Sequence, residues 1–139
     1  MRVTKKSGYG LIAMAELADS YNSRFTSTTE IANKYDLPQP FLEKIMRELK
    51  NAGLVGVKRG RNGGYELEKP PEEISIKDVV FILEDDSLAP VSCLSPSRNG
   101  DCHLESDCPT LMIWSTIQEE FSKVLSSFTL SDLARSVRR

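Results

Sequence analysis

Apolar residues recur at steps of three and four along the N-terminal part of the chain, a spacing that places them on one face of a helix. The pattern predicts a first helix from about Thr4 to Tyr21 and a short second helix that ends near Tyr35. A third helix is predicted after Pro38, and it should stop at Gly53, a residue suited to a left-handed cap. The second and third helices, joined by a short turn, are typical of a helix-turn-helix.

After the third helix the pattern changes to short β-type runs over 54–58 and 65–67, which flank a glycine-rich turn at 59–64. This arrangement is typical of a β-hairpin, and a basic hairpin in this position is the wing of a winged helix-turn-helix. Further helices are predicted over Ser75 to Glu84, from Pro109 to about Phe128, and over Ser131 to Val137. The irregular segment between the first two of these helices is long, and such segments tend to be functional.

These elements predict a mainly α fold with a small β-hairpin wing, organised in three segments. We expect a winged helix-turn-helix DNA-binding domain over 1–70, a linking helix and three-cysteine sensor loop over 71–108, and a dimerisation helix with a C-terminal tail over 109–139. The apolar stripe of the long helix exceeds what one small domain needs to cover, so we expect the helix to pair with its twin in a homodimer. Two-fold proteins of this kind read two-fold DNA operators.

Charge is divided unevenly between the two halves of the chain. Residues 1–69 hold 12 Lys and Arg against 8 Asp and Glu, a balance of +4, whereas residues 70–139 hold 6 against 12, a balance of −6. The basic half is therefore the one expected to meet a polyanion such as double-stranded DNA. No apolar run approaches the roughly 20 residues that cross a bilayer, and the N-terminus lacks a signal-peptide pattern, which favours a cytoplasmic protein.

The third helix is the candidate recognition helix, because Gln39, Glu43 and Arg47 are four residues apart on its outer face. In the major groove Gln can pair with adenine, Glu can accept from the amino group of cytosine, and Arg can pair with guanine. Arg59 and Arg61 at the wing tip would reach phosphates or an adjacent minor groove. The other candidate DNA contacts are Thr28, Pro40 and Lys44. The alternative is a set of ordinary solvated side chains, since similar helix arrangements also serve in protein contacts.

Three cysteines, Cys93, Cys102 and Cys108, lie within sixteen positions. In a reducing compartment this density favours a metal or redox site over disulfides. The spacing differs from the paired cysteines of zinc modules, and thiolates are the usual ligands of iron–sulfur clusters. His103, the sole histidine, is a weaker candidate ligand because it adjoins Cys102. Two interpretations stay open on spacing alone, a bound metal or cluster and three free thiols in a loop.

Catalysis is not expected of this chain. The sole histidine lies in an irregular segment, and the sequence offers no nucleophile–base pair. The glycine-rich turn from Gly60 to Gly64 lacks the lysine and the following Ser or Thr of a phosphate-binding loop. A binding function is therefore favoured over an enzymatic one.

Several segments of the chain resemble the Rrf2 family of winged helix-turn-helix transcription regulators, which includes IscR-like and NsrR-like members. The resemblance covers nearly the whole chain and is carried by residues 1–4, the helix of Tyr9, and residues 41–45, 51–55, 59–65 and 108–114. It implies a homodimer with crossed long helices and an iron–sulfur cluster, 2Fe–2S or 4Fe–4S, bound near each dimer end by Cys93, Cys102 and Cys108. It also implies that Arg59 is a wing contact and that Glu43 tunes which operator sequences are accepted.

This chain departs from the family pattern at the two positions that can supply the fourth ligand of the cluster. IscR-like members carry a histidine three residues after the last cysteine, where this chain has Leu111, and NsrR-like members can use an acidic residue near the position of Gly8 in the partner subunit. The leading hypothesis is a repressor or activator whose operator binding is controlled by a cluster that responds to iron–sulfur, redox or nitric-oxide status. The alternatives are a cluster-free thiol- or zinc-dependent regulator and a protein-interaction adaptor that no longer binds DNA.

Overall fold

Six α-helices and a two-stranded antiparallel sheet form the part of the chain that the computed structural model describes, residues 2–84, 88–95, 102–104 and 107–137. The helices are α1 (Lys5–Asp19), α2 (Thr28–Tyr35), α3 (Gln39–Asn51), α4 (Ile76–Leu83), α5 (Leu111–Ser126) and α6 (Leu130–Ala134). The strands are β1 (Val55–Lys58) and β2 (Gly64–Leu67), and short 3-10 turns cover Pro71–Glu73 and Ser92–Leu94. The predicted class, mainly α with a hairpin wing, is confirmed.

Local capping explains where several helices begin and end. The side chain of Ser27 accepts a hydrogen bond from the backbone of Glu30 at the start of α2. Ser75 and Asp78 form a capping box at the start of α4, each side chain accepting from the backbone N–H of the other residue. Gly53, just beyond α3, has a φ of +84°, which confirms its predicted left-handed conformation and ends the helix before β1.

The hydrophobic core is built around α1, which contacts α2, α3, α4, α6 and β2. Ala13, Met14 and Leu17 on α1 have no exposed surface. The core continues past residue 70, because Leu83 of α4 and Leu130 of α6 belong to the same buried cluster. The predicted DNA-binding segment 1–70 and the residues that follow it therefore share one core.

A backbone ladder attaches the end of α5 to the beginning of α4. Ile76 N–H donates to the carbonyl of Phe128 at 2.9 Å, and Leu130 N–H donates to the carbonyl of Ile74 at 2.9 Å. Leu130 is completely buried in the core. This ladder explains how the short helix α6, which follows α5 in sequence, comes to pack against α1.

The wing is anchored to the segment that precedes α2. Val55 pairs with Leu67 and Lys58 with Gly64 in the hairpin, and Thr26 adds two backbone hydrogen bonds with Tyr65, of 3.0 and 2.8 Å. Gly64 has a φ of +144°, and a Cβ there would lie 2.5 Å from the carbonyl carbon of Thr26. The close approach requires glycine and holds β2 against the helix-turn-helix.

A carboxylate from the end of α4 holds the beginning of α1. Both the backbone N–H and the hydroxyl of Thr4 donate to Oε2 of Glu84, at 2.9 and 2.7 Å. Glu84 is only 6% exposed, and a carboxylate beside the N-terminus of a helix is favoured by the helix dipole. Glu84 is also the last described residue before the chain enters the cysteine-containing segment.

Candidate DNA-binding surface and cysteine site

Helix α3 presents a polar face to solvent because its apolar face is fully used by the core. Leu42, Ile45, Met46 and Leu49 are buried without any exposed surface. On the opposite side Glu43, Lys44 and Arg47 are exposed, as is Pro40, and Gln39 is half-buried. An exposed polar helix face fixed by a rigid core is the geometry by which a recognition helix enters the major groove.

The first turn of α3 is joined to the first turn of α2 by side-chain hydrogen bonds. Oε1 of Glu43 accepts from Oγ1 of Thr28 at 3.2 Å and from Nε2 of Gln39 at 3.3 Å. Nε2 of Gln39 also donates to Oγ1 of Thr29 at 2.8 Å. Three of the sequence-predicted residues, Thr28, Gln39 and Glu43, are thus brought together in one network.

Sequence reasoning missed Thr29, which is exposed at the start of α2. The four-residue spacing of Gln39 and Glu43 indicates that these two side chains are neighbours on one helix. No comparable pattern connects Thr29 to Gln39, because they lie on different helices and the packing of α2 against α3 sets their distance.

The wing tip carries Arg59 and Arg61, both exposed. Gly60 and Asn62 have φ values of +98° and +63°, and a Cβ at Gly63 would overlap the backbone carbonyl of Lys58. The tip therefore turns tightly and displays its arginines on a constrained loop. The strand β1, which leads to this basic loop, follows α3 in sequence and contacts it.

The three cysteines are free thiols with different surroundings. Cys93 lies half-buried in the 3-10 turn Ser92–Leu94, Cys102 is exposed beside the exposed His103, and Cys108 is half-buried three residues before α5. Among the residues that the structure describes, no three His, Cys, Asp or Glu side chains are grouped as metal ligands. The described geometry thus does not gather the predicted ligand set, and His103 remains a candidate from sequence alone.

The thiol of Cys108 is held close to a hydroxyl group. Its Sγ lies 3.2 Å from Oγ1 of Thr110, within hydrogen-bonding distance. The side-chain and backbone hydrogen bonds from Thr110 lower the pKa of Cys108 below the ordinary value of a cysteine thiol, because they stabilise the thiolate. Thiolates are both the nucleophilic form of cysteine and the form that binds metals, so Cys108 is suited to either chemistry.

Helix α5 has no buried residue in the described part of the chain. Ile113, Ile117 and Val124 are 59%, 39% and 57% exposed, and the following Phe128 is 53% exposed. The spacing of Ile113, Ile117 and Val124 places these three on one side of α5, and Phe128 follows the end of that helix. On another side of α5, a groove of about 440 Å³ is lined in part by Met112 and by Phe81 of α4. The long helix predicted for dimerisation thus carries an apolar face that the rest of the described chain does not cover.

Helices α2 and α3 form a helix-turn-helix in which the polar face of α3 is exposed, and a basic hairpin follows on the same core. This arrangement defines a winged helix-turn-helix protein. The family model of Rrf2, described as an iron-dependent transcriptional regulator, matches residues 3–136. The chain therefore belongs to the Rrf2 family of DNA-binding transcriptional regulators, as its sequence indicated, and its relatives are regulators rather than enzymes.

Individual relatives agree with this assignment over almost the full chain. The protein rrf2 of Nitratidesulfovibrio vulgaris is 33% identical over 97% of this chain and 88% of its own length. The structure of CymR, the global cysteine regulator of B. subtilis, matches with a TM-score of 0.80 and 34% identity over 99% of both chains. The IscR of T. potens matches with a TM-score of 0.74 and 30% identity, over 99% of this chain and 89% of that one.

No helix among the described residues combines the length and apolar character needed to cross a membrane.

The lowered pKa of Cys108 predicts faster alkylation near neutral pH than that of an ordinary thiol, because the thiolate is the reacting form. In a chain with Cys93→Ser and Cys102→Ser, the pH midpoint of the iodoacetamide reaction rate should lie below that of an ordinary thiol, about 8.5. Thr110→Val should raise the midpoint and slow the reaction at pH 7, whereas Thr110→Ser, which keeps the hydroxyl, should preserve it. An unchanged midpoint in Thr110→Val would contradict the assigned cause.

Proposed function

We propose that two copies of this regulator bind a two-fold operator through α3 and the wing, and that an iron–sulfur cluster held by Cys93, Cys102 and Cys108 controls their affinity for it. One observation carries the proposal. Three free thiols lie in the segment between α4 and α5. This segment joins the candidate DNA-binding surface, which is packed on the core, to α5, whose apolar face is uncovered among the described residues. This position in the chain supports the proposal that a change at those thiols alters both operator binding and dimer assembly.

The proposed DNA contacts divide by chemistry. Gln39, Glu43 and Arg47 would face base edges in the major groove, where amide, carboxylate and guanidinium groups each match particular edges. Arg59 and Arg61 would enter an adjacent minor groove or contact phosphates. Thr28, Pro40 and Lys44 would contact the sugar–phosphate backbone and set the register of α3. Such a regulator acts where the chromosome and reduced thiols are found, which in a bacterium is the cytoplasm.

Removing the wing arginines should weaken DNA binding mainly through lost counterion release. Arg59→Ala and Arg61→Ala should each reduce the slope of log affinity against log salt concentration by about 0.9, measured by fluorescence anisotropy over a salt series. Arg135→Ala is the matched control, because its side chain is 80% exposed at the end of α6, outside the proposed contact surface. A slope that stays the same in the double wing variant would exclude the wing from the DNA interface.

Dimer formation is proposed from the apolar face of α5. A soluble chain rarely leaves several large apolar side chains together on one helix face, and such faces mark interfaces. The same face of a second copy would cover it, because a two-fold pair of α5 helices would give the two α3 helices the symmetry of a two-fold operator.

Charged substitutions on this face should separate the two copies. Ile117→Glu and Val124→Glu should convert a dimer into a monomer in sedimentation equilibrium, since a carboxylate buried between apolar helices lacks a partner. Lys123→Glu, at a side chain 70% exposed on the same helix, should leave the dimer intact. If all three variants keep the same mass, α5 is not the dimer interface.

The cysteines fit an iron–sulfur cluster in the chemistry of their donor set. Three thiols are free and reach solvent, and that of Cys108 has a lowered pKa, which favours the thiolate form that iron binds. When bound, the cluster would supply a redox- and nitric-oxide-reactive centre that cross-links the segment from 93 to 108. The chain's own part is to hold the thiolates, with Thr110 assisting that of Cys108. Leu111 and Gly8 have no side-chain atom that could bind iron, so the fourth ligand of the cluster must come from another residue or from a small molecule.

The cluster can be tested on anaerobically purified full-length protein. We expect iron and acid-labile sulfide in comparable amounts, with absorption in the visible range, and loss of both in Cys102→Ser. Removing iron with a chelator should change operator affinity, whereas a Ser115→Ala control on α5 should behave as the unmodified protein. If the protein contains no iron and no sulfide under these conditions, the cluster proposal is wrong, whereas the proposal that the protein binds an operator is unaffected.

A second candidate is control by the cysteines without iron. Two observations favour it, the lowered pKa of Cys108 and the absence of a gathered ligand set among the described residues. In that case the purified protein would contain no iron, and a zinc assay would distinguish a zinc site from free thiols. Oxidation of Cys108 would then alter the affinity for the operator. A protein-interaction adaptor would instead leave function unaffected by loss of Arg59 and Arg61.

A further inference from the structure

Both amide hydrogens of Gln39 are occupied within the protein. Nε2 donates to Oγ1 of Thr29 at 2.8 Å and to Oε1 of Glu43 at 3.3 Å. A carboxylate oxygen only accepts hydrogen bonds, so the amide atom facing Glu43 has to be the nitrogen. This requirement fixes the orientation of the amide, and the carbonyl oxygen Oε1 is then its polar atom without a hydrogen bond to any residue that the structure describes.

The usual pairing of glutamine with adenine needs an N–H donor and an acceptor at the same time. Gln39 has no free N–H to offer, so that two-bond pairing is excluded while the network persists. A lone acceptor can receive a hydrogen bond from the amino group of adenine or from that of cytosine. Guanine and thymine instead present acceptors toward the centre of the major groove.

We infer that Gln39 reads its operator base as a hydrogen-bond acceptor alone, accepting adenine or cytosine and rejecting guanine and thymine. The inference rests on the proposed entry of α3 into the major groove, and it defines the base preference of that site more closely than residue type does. Thr29 is then a positioning residue, because it acts through Gln39.

Thr28 supports the same arrangement from the neighbouring position on α2. Its hydroxyl donates to the carboxylate oxygen of Glu43 that also accepts from Gln39. With two donors on that one oxygen, Glu43 is held beside Gln39, and both side chains present acceptors toward the DNA. A threonine pair at the start of α2 thus sets the hydrogen-bonding character of the first turn of α3.

The experiment is selection from a random duplex library with the full-length protein, followed by affinity measurements on four operators that differ at one base pair. The base pair is identified as the one where Gln39→Ala loses its preference. We expect adenine and cytosine to bind within about two-fold of each other, and guanine and thymine to bind roughly five-fold or more weakly, the low end of a specific base contact.

Thr29→Val is the informative variant, because it removes the hydroxyl that occupies one amide hydrogen. The freed N–H should allow the two-bond pairing with adenine, so preference should move to adenine over cytosine by roughly five-fold or more. Thr29→Ser keeps the hydroxyl and should keep the original preference. A general structural defect would lower affinity for all four operators equally.

An original protein that selects adenine alone, or a Thr29→Val variant with an unchanged preference, would overturn the inference while leaving operator binding established. Failure of the library to yield any enriched sequence would instead overturn the proposed operator reading on which the inference rests. Equal affinities for all four base pairs would exclude Gln39 as a base contact.

Discussion

The close packing of α1 against α3 and α4 determines where every functional element lies. At Gly10 the three helices approach so closely that a Cβ would overlap the side chain of Leu83 and lie 3.3 Å from Cγ2 of Ile45. Ile45 lies on α3, the candidate recognition helix, and Leu83 is the last residue of α4. Since interiors are close-packed and resist continuous deformation, α1 sets the position of the candidate DNA-binding surface relative to the chain that leads to the cysteines.

The candidate DNA-binding surface on this core is also ordered by hydrogen bonds among its own side chains. The side chains at the start of α3 are restrained by hydrogen bonds to α2 before any DNA arrives. Restraint of this kind lowers the conformational entropy lost on binding, and it determines which polar atoms are available to a base. Chemical identity alone therefore describes a recognition residue incompletely, since its neighbours decide whether it donates or accepts.

Much of the fold could be predicted from sequence because it follows local rules. The helical periodicity, the Ser75–Asp78 capping box and the glycine at the end of α3 each leave a pattern within a few residues. The burial of Leu130 against α1 and the contact of Gln39 with Thr29 could not be predicted in this way. Both depend on tertiary packing between helices that are separate in sequence. For the cysteines, spacing gives the order of the thiols and their chemistry, but not whether they converge in space.

The hydrogen bonds between Thr4 and Glu84 join residues that are 80 positions apart in the chain. They connect Thr4, the residue before α1, directly to Glu84, the last described residue before the cysteine-containing segment. Any displacement of Glu84 must either break these bonds or carry the start of α1 with it. A hydrogen bond to a charged group contributes about 1.5–3 kcal/mol, and coupling between distant sites in proteins is typically about 1–3 kcal/mol. The two hydrogen bonds together are strong enough to carry a coupling of ordinary size, and their combined strength is an upper limit on the coupling that they can transmit.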